Sequence, residues 1–260
     1  MSLNPSLKTD SRVKSGAADM AHLASRYGWL AIVLGLASLG AIQRGMVRGY
    51  TWHTITVVLL WCTASAVLLH LAYEENDPHA FAKRAEGSLP LWARIVLLPF
   101  YAPFWMRQIA LSVFSREPAS NQLIPGVYIG RRPVRCGDVP NGTSVVVDLA
   151  AECAVATAVW KSPAFAVSFP ILEAGVRSVS DLVACIDGLP EQGIFIHCAQ
   201  GHGRTAFFSC AFLLRRGVVH NLSEALAMVA RVRPRATLRH AQISFLRREE
   251  AFLSGREASE

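Results

Sequence analysis

Two long stretches without a charged side chain constrain this 260-residue chain more than any other feature. The first, residues 27–43, reads YGWLAIVLGLASLGAIQ, and the second, residues 50–73, reads YTWHTITVVLLWCTASAVLLHLAY. A helix needs about 20 apolar residues to cross the roughly 30 Å of hydrocarbon in a bilayer. The second stretch meets this length comfortably and the first meets it marginally. We therefore predict two membrane spans that form a helical hairpin.

Two other interpretations of these stretches compete with the hairpin. A cleaved signal peptide has a short charged head and a small-residue cleavage site, whereas here a polar, basic tail of residues 1–26 precedes two apolar stretches joined by the link RGMVRG. A pair of buried helices in a soluble core is the remaining alternative. Apolar runs of about 10 to 14 residues are typical of core helices, so the greater length favours the hairpin.

A third apolar segment, residues 91–114, contains IVLLPFYAPFWM between Arg94 and Arg107. It is interrupted by Pro99 and Pro103 and is rich in aromatic residues, which suits a segment at the level of the lipid headgroups. We predict an interfacial or re-entrant segment here, with the flanking arginines facing lipid phosphates. A third full crossing remains the alternative.

The distribution of basic residues predicts the orientation of the hairpin. Four Lys or Arg residues lie in the tail before the first stretch, against two in the link, so the tail should be cytoplasmic. Two crossings return the chain to the cytoplasm, and we expect an integral protein of a bacterial inner membrane with a cytoplasmic catalytic domain over residues 115–260. The six cysteines form no CxxC pair, which fits a reducing compartment.

The formal net charge of +7 accompanies apolar spans, and this combination indicates contact with an anionic membrane surface. The segment RVRPRATLR, residues 231–239, is the best candidate for a nucleic-acid patch. It lacks interleaved aromatic residues and any nucleic-acid-binding motif. We therefore predict the membrane, and no nucleic acid, as a partner.

The remaining half of the chain has the pattern of an α/β domain. Continuous apolar segments predict strands, and helices follow, one opened by a Ser cap at residue 178 and another by Ser223. Apolar strands alternating with helices indicate a mostly parallel sheet flanked by helices. The predicted strands are PGVYIGRRP, TSVVVDLA, FAVSFPIL and GIFIHC.

The last of these strands leads directly into the motif HCAQGHGRT, which spans His197 to Thr205. A glycine-containing loop between a strand and a helix turns its backbone N–H groups toward a common point, and the positive end of the helix dipole adds to their field. Such a loop binds phosphate and stabilises the thiolate of Cys198. Arg204, six positions after the cysteine, can bind two phosphate oxygens at once.

The spacing C-x5-R followed by Thr supplies a nucleophile, a phosphate cradle and a cation for phosphoryl transfer through a phosphocysteine. A zinc site made by His197, Cys198 and His202 is an alternative, but no second pair of ligands lies at zinc-site spacing. A Walker loop requires Gly-Lys-Ser/Thr, whereas arginine follows Gly203 here. We predict a chemistry that needs neither a metal nor a cofactor.

With these residues, the sequence resembles the dual-specificity branch of the cysteine-based protein tyrosine phosphatases over about residues 122–253. PGVYIGRRP, VVVDLAAE, HCAQGHGRT and EALAMVARVRP carry the resemblance, which is strongest at the loop. It implies a phosphatase fold with Cys198 as nucleophile, Arg204 as the phosphate-binding arginine, Thr205 as the leaving-group hydroxyl, His197 in support, and the amides of Ala199, Gln200, Gly201, His202, Gly203 and Arg204 as the cradle.

The same family uses an aspartic acid as general acid, and the matching position here is Glu173, in PILEAGVRSVSDL. Glutamate can protonate a leaving oxygen, but the extra methylene displaces the proton, and misplacement by about 1 Å can cost about 100-fold in rate. Asp148, at a strand end, is expected to be structural, and Asp181, on a helix, is expected to be solvated.

The predicted anchoring places the catalytic domain where lipid headgroups are concentrated. A phospholipid phosphomonoester is therefore the expected substrate, and His202, when protonated, would help to bind further headgroup charge. A protein tyrosine or dual-specificity phosphatase acting on a phosphoprotein is the alternative. A second alternative is a pseudophosphatase that binds phosphate groups without turnover.

Overall fold

The computed structural model describes residues 5–48, 50–114 and 117–255. The first four residues of the predicted tail, Gly49 in the predicted link, and residues 115 and 116 at the predicted domain boundary lie outside the described residues. The helices are α1 Pro5–Arg48, α2 Tyr50–Glu74, α3 Leu91–Val96, α4 Leu98–Phe114, α5 Thr157–Trp160, α6 Val179–Asp187, α7 Gly203–Arg215, α8 Leu222–Val232, α9 His240–Arg248 and α10 Glu250–Leu253. The strands are β1 Ser120–Ile124, β2 Val127–Arg131, β3 Val145–Ala150, β4 Phe165–Ile171 and β5 Ile194–Cys198.

Helices α1 and α2 pack against each other as an antiparallel pair. A Cβ placed on Gly28 would lie 3.2 Å from the ring of His70, and one on Gly35 would lie 4.0 Å from Thr63. Within them, Met20–Met46 and His53–Glu74 are long and apolar enough to cross a membrane by length and composition. The described part of the predicted tail, from Pro5, is helical and continuous with α1.

The five strands form one sheet in the order β1-β2-β5-β3-β4. β5 is central and parallel to β2 and β3, and β3 is parallel to β4. The predicted α/β fold with a mostly parallel sheet is therefore confirmed. The sequence did not predict β1, which pairs antiparallel with β2 at the edge.

Burial explains why β5 is central. All five of its residues are buried, and they pack with α7, of which eleven residues are buried. The predicted cap of α6 is confirmed, because Ser178 accepts a hydrogen bond from the Asp181 backbone. The predicted cap of α8 is wrong: Asn221 rather than Ser223 accepts the N–H of Glu224, at 2.9 Å. Asn and Ser are equally good N-cap residues. Because Asn221 lies two residues before Ser223, the helix begins earlier than the sequence pattern predicted.

The segment between α2 and α3, residues 75–90, is bound to the sheet. Lys83 Nζ donates to Asp148 Oδ2 at 2.9 Å and to the carbonyl of Ala150 at 2.6 Å. The Val155 backbone donates to Gly87 at 2.9 Å, and Phe81 is fully buried. The N-terminal helices are thus packed onto the α/β unit.

Candidate active site

The predicted motif lies at the carboxyl end of the central strand. Cys198 ends β5, where Arg131 of β2 pairs with it, and Asp148 of β3 pairs with His197. The carboxyl ends of three parallel strands therefore meet beside Cys198. In open α/β sheets this edge is where ligands bind.

The loop after Cys198 turns its amides toward the cysteine. The Gly201 N–H donates to Cys198 Sγ at 3.2 Å. On the outer side, the carbonyls of Gln200 and Gly201 accept hydrogen bonds from Arg233, at 3.3 and 2.8 Å. Because the C=O and N–H of one trans peptide unit point in opposite directions, outward carbonyls leave inward N–H groups. This is the arrangement that a phosphate cradle requires.

Arg233 organises the loop, although the sequence pattern assigned no role to this residue. Its side chain is 1% exposed, and besides the loop carbonyls it binds Asn121 Oδ1 at 2.9 Å and the Pro118 carbonyl at 3.3 Å. Burial lowers its pKa, and the nearby Glu117 carboxylate opposes that effect. In the sequence, the feature that could have identified Arg233 is the Arg-Pro pair that follows α8.

Gly201 is a position of the loop at which glycine is required by contact as well as by conformation. Its φ is +76°, and a Cβ added there would lie 2.3 Å from the carbonyl carbon of Gly130. Only glycine adopts such a φ readily. The close approach of the loop to β2 therefore depends on this residue.

Arg204 is held by a carboxylate that the sequence pattern did not identify. Its Nη1 and Nη2 bind the two carboxylate oxygens of Glu152 at 2.7 and 2.8 Å, and Nη1 also donates to the Ile171 carbonyl at 3.0 Å. A guanidinium has five N–H donors, so the Nε–H and one Nη2–H remain on the adjacent edge. Among the described residues that edge has no hydrogen-bond partner, so it can bind two phosphate oxygens.

Burial and ion pairing act in opposite directions on this pair. Burial disfavours both charges, but the Arg204 guanidinium outweighs it and lowers the pKa of Glu152. In the same way, the Glu152 carboxylate outweighs burial and raises the pKa of Arg204. Both groups are therefore charged at neutral pH.

His197 lies beneath the loop in a buried cluster. It is 0% exposed, and its Nδ1 lies 3.2 Å from the Cys198 carbonyl and 3.9 Å from Asp148 Oδ1. Burial lowers the pKa of His197 to about 4, so it is neutral at pH 7. Burial also opposes ionisation of Asp148, but Lys83, His197 and Arg132 hold its pKa at about 2. Asp148 is thus a buried partner of Lys83.

Two residues of the motif have partners that the sequence did not predict. The Thr205 hydroxyl, predicted to assist the leaving group, donates to the Gly130 carbonyl at 3.4 Å. His202 Nε2 lies 2.9 Å from Glu117 Oε2. The positive charge expected of a protonated His202 is therefore balanced by Glu117.

A cavity of about 400 Å³ lies over the loop. Its lining includes Cys198, Arg204 and Glu173, together with Ala199, Gln200, His202 and Gly203 from the motif. Glu173 follows β4 and is exposed at this lining, which is where a general acid would have to lie. Asp181 is exposed and pairs with Arg177 at 2.9 Å, outside the lining of the cavity.

The N-terminal helices close the other side of the same cavity. Tyr27 of α1, Tyr73 of α2, and Phe100 and Phe104 of α4 line it. Gln108 of α4, 1% exposed, donates from Nε2 to the Ala199 carbonyl at 3.2 Å. Sequence reasoning missed these residues because it assigned their helices to the membrane or its interface alone.

Comparison with known proteins identifies similar structures but no similar sequence. No family model matches the sequence, and no curated protein matches it. Among solved structures, the chain is similar to Tk-PTP in its active form (24% identity, 54% of this chain and 98% of that chain, TM-score 0.47). It is also similar to PTPMT1 in complex with PI(5)P (16%, 54% and 99%, 0.48) and to human DUSP28 (16%, 53% and 96%, 0.42).

Cys198, at the end of β5, and Arg204, in the first turn of α7, are joined by the loop described above. The resemblance predicted from the sequence, to the protein tyrosine and dual-specificity phosphatases, is confirmed as a structural similarity that covers about half of this chain.

Proposed function

We propose that this chain is a membrane-anchored, cysteine-dependent phosphatase that hydrolyses phosphomonoesters on phospholipid headgroups. The observation that carries the proposal is the shared cavity: Cys198 and Arg204 face side chains of α1, α2 and α4. These helices also carry exposed apolar residues. The cavity that contains the nucleophile therefore lies beside the surface best suited to contact a membrane.

The outer surface of the hairpin supports the anchoring. Trp29 is 66% exposed and Leu36 65% exposed on α1, and Val57 is 64% exposed on α2. Contiguous apolar patches of this kind are rare on soluble monomers and mark contact with membranes or partners. With the predicted orientation, residues 1–26 form the cytoplasmic tail, residues 27–114 the membrane region and residues 115–260 the cytoplasmic catalytic domain.

Helix α4 links the membrane surface to the cavity. Trp105, Met106 and Ile109 are exposed on it, while Phe104 and Arg107 line the cavity. A helix with one apolar exposed face lies readily at the level of the headgroups. A lipid phosphate then meets Cys198 at high effective concentration without leaving the bilayer.

The site supports phosphoryl transfer in two steps. The Cys198 thiolate attacks phosphorus, the P–O bond to the headgroup breaks, and the leaving oxygen takes a proton from Glu173. Water then attacks the phosphocysteine, Glu173 takes a proton from that water, and inorganic phosphate and the thiolate are released. Arg204 and the loop amides stabilise the charge that develops on the phosphoryl oxygens.

Phosphate release by the full chain tests this proposal. We would use purified protein in mixed micelles with phosphatidylglycerophosphate, phosphoinositides and a phosphotyrosine peptide, because residues 75–114 pack onto the site and cannot be removed without consequence. We expect phosphate release from a lipid substrate. We expect Cys198→Ser to reduce this release by on the order of 1,000-fold or more. If no phosphate is released from any of the three substrates, the result would favour the phosphate-binding pseudophosphatase.

A protein tyrosine phosphatase is the second candidate, and the aromatic lining favours it. Tyr27, Tyr73, Phe100 and Phe104 could stack on the ring of a phosphotyrosine. Release from the peptide alone would establish this candidate and exclude the lipid.

A further inference from the structure

Three arginines in the catalytic cavity have no acidic partner within the described part of the chain. They are Arg107 on α4, and Arg235 and Arg239 in the segment between α8 and α9. All three are exposed, and all three line the cavity that contains Cys198 and Arg204. Exposed arginines are ordinary, but three that converge on one concave site concentrate positive potential there.

The two segments that carry these arginines flank the loop from opposite ends. α4 contacts the beginning of the loop, where Gln108, next to Arg107, donates to the Ala199 carbonyl at 3.2 Å. The other segment contacts its end, since a Cβ placed on Gly203 would lie 3.5 Å from the Thr237 carbonyl oxygen. Thr237 lies between Arg235 and Arg239 in the chain.

The charges of the cavity exceed what one phosphoryl group requires. Arg204 is balanced by Glu152 at 2.7 Å, and His202 is paired with Glu117 at 2.9 Å. The loop amides and the cavity-facing edge of Arg204 are enough to bind the oxygens of the transferred phosphoryl group. With Glu152 paired to Arg204, the three arginines face one remaining carboxylate of the lining, that of Glu173.

We propose that Arg107, Arg235 and Arg239 form a second anion subsite that binds a second phosphate group of the same substrate. The inference rests on the proposed function and deepens it. In a phospholipid, the second group is the phosphodiester that joins the headgroup to the diacylglycerol. Arg107 suits this role, because it belongs to the helix whose other residues face the predicted interface.

Four substrates separate the second phosphate from the acyl chains. Phosphatidylglycerophosphate has both, its deacylated form glycerophosphoglycerophosphate has only the second phosphate, phosphatidic acid has only the chains, and glycerol 3-phosphate has neither. We expect each two-phosphate substrate to show a KM about 10-fold or more below that of its one-phosphate counterpart. This difference should persist without acyl chains.

Three variants, Arg107→Gln, Arg235→Gln and Arg239→Gln, test the subsite directly in the full-length protein. Each should raise KM for both two-phosphate substrates by about 5- to 10-fold, the usual scale for a charge-assisted contact. The value of kcat and both one-phosphate KM values should change less than about twofold. Arg247→Gln, an exposed arginine of α9 outside the cavity lining, is the matched control.

Equal effects on all four substrates would overturn the subsite while leaving the phosphatase function intact. A preference set by the acyl chains alone would also overturn it. Binding to the Cys198→Ser protein, measured by calorimetry, covers the case in which no phosphate is released. Tighter binding of glycerophosphoglycerophosphate than of glycerol 3-phosphate, lost in Arg107→Gln, would support the subsite even then, and equal binding would reject it.

Discussion

Glu152 binds Arg204 through both carboxylate oxygens, at 2.7 and 2.8 Å, and both side chains are buried. The carboxylate fixes the plane of the guanidinium and leaves its other edge toward the cavity. In the proposed reaction, the cation that binds phosphate is thus positioned before substrate arrives. Preorganised charge of this kind is a large part of catalytic stabilisation.

We expect Glu152→Gln to reduce kcat/KM by about 10- to 100-fold and to destabilise the fold by about 3–5 kcal/mol, because it leaves a buried cation without its counter-charge. Kinetics and denaturant unfolding in detergent would measure both effects. The matched control is Asp187→Asn, which breaks the exposed ion pair with Arg215 and should cost about 1 kcal/mol or less. Equal stability losses in the two variants would contradict the role of burial.

Glu173→Gln should affect substrates according to their leaving groups. With an alkyl phosphate, loss of a general acid costs about 10²- to 10⁴-fold in kcat/KM, which reports the steps up to departure of the leaving group and excludes hydrolysis of the phosphocysteine. With p-nitrophenyl phosphate, whose leaving group needs no proton, the loss of kcat/KM should be less than about 10-fold. A uniform loss across both substrates would instead assign Glu173 to binding or structure.

Gly201→Ala should abolish activity, because the added Cβ meets the Gly130 backbone at 2.3 Å and the φ of +76° is strained for alanine. Gly217→Ala is the matched control: its φ is +64° and nothing lies within 4 Å of the added Cβ. The control should lose about 1 kcal/mol of stability and keep its activity. Phosphate release and thermal unfolding would compare the two variants.

Stability should fall in mild acid because of His197. Its pKa of about 4 lies below the ordinary value of 6.5, so the unfolded state takes up a proton first as the pH falls. Above about pH 6.5 the titration of His197 therefore does not reduce the free energy of unfolding. As the pH falls from there to about 4, this titration lowers the free energy of unfolding by about 3 kcal/mol in total. Asp148 adds a further loss only from its ordinary value of 3.8 down to about 2.

Urea unfolding at about pH 7.5 and about pH 4.5 in detergent would measure this window. His197→Gln, which cannot titrate, should show a smaller difference between the two pH values than the wild-type protein. An identical difference would assign the acid sensitivity to other groups.

Lys83→Met should destabilise the fold by about 3–5 kcal/mol, because it leaves the Asp148 carboxylate buried and unpaired. Adding Asp148→Asn to this variant should recover part of the loss, since the buried charge is removed. A double-mutant cycle of unfolding free energies would measure the coupling. If the changes in unfolding free energy of the two single variants simply add, the Lys83–Asp148 ion pair does not connect residues 75–90 to the sheet.

Local patterns in the sequence predicted the strands, the loop and the residues of the motif. Four apolar runs became β2 to β5, and helix α7 begins at Gly203 as expected. The edge strand β1 was missed because SNQLI is short and largely polar. The cap of α8 was misplaced because Ser and Asn are equally good caps only two residues apart.

The sequence by itself determined the chemistry that is available, because Cys198, the loop amides and Arg204 lie within seven consecutive residues and their geometry follows from a strand, a turn and a helix. Only the tertiary structure decided which distant groups complete the site. Glu152, Arg233 and Gln108 reach the loop from the ends of β3 and α8 and from α4. Such contacts depend on how the sheet and helices pack, and no local spacing encodes that.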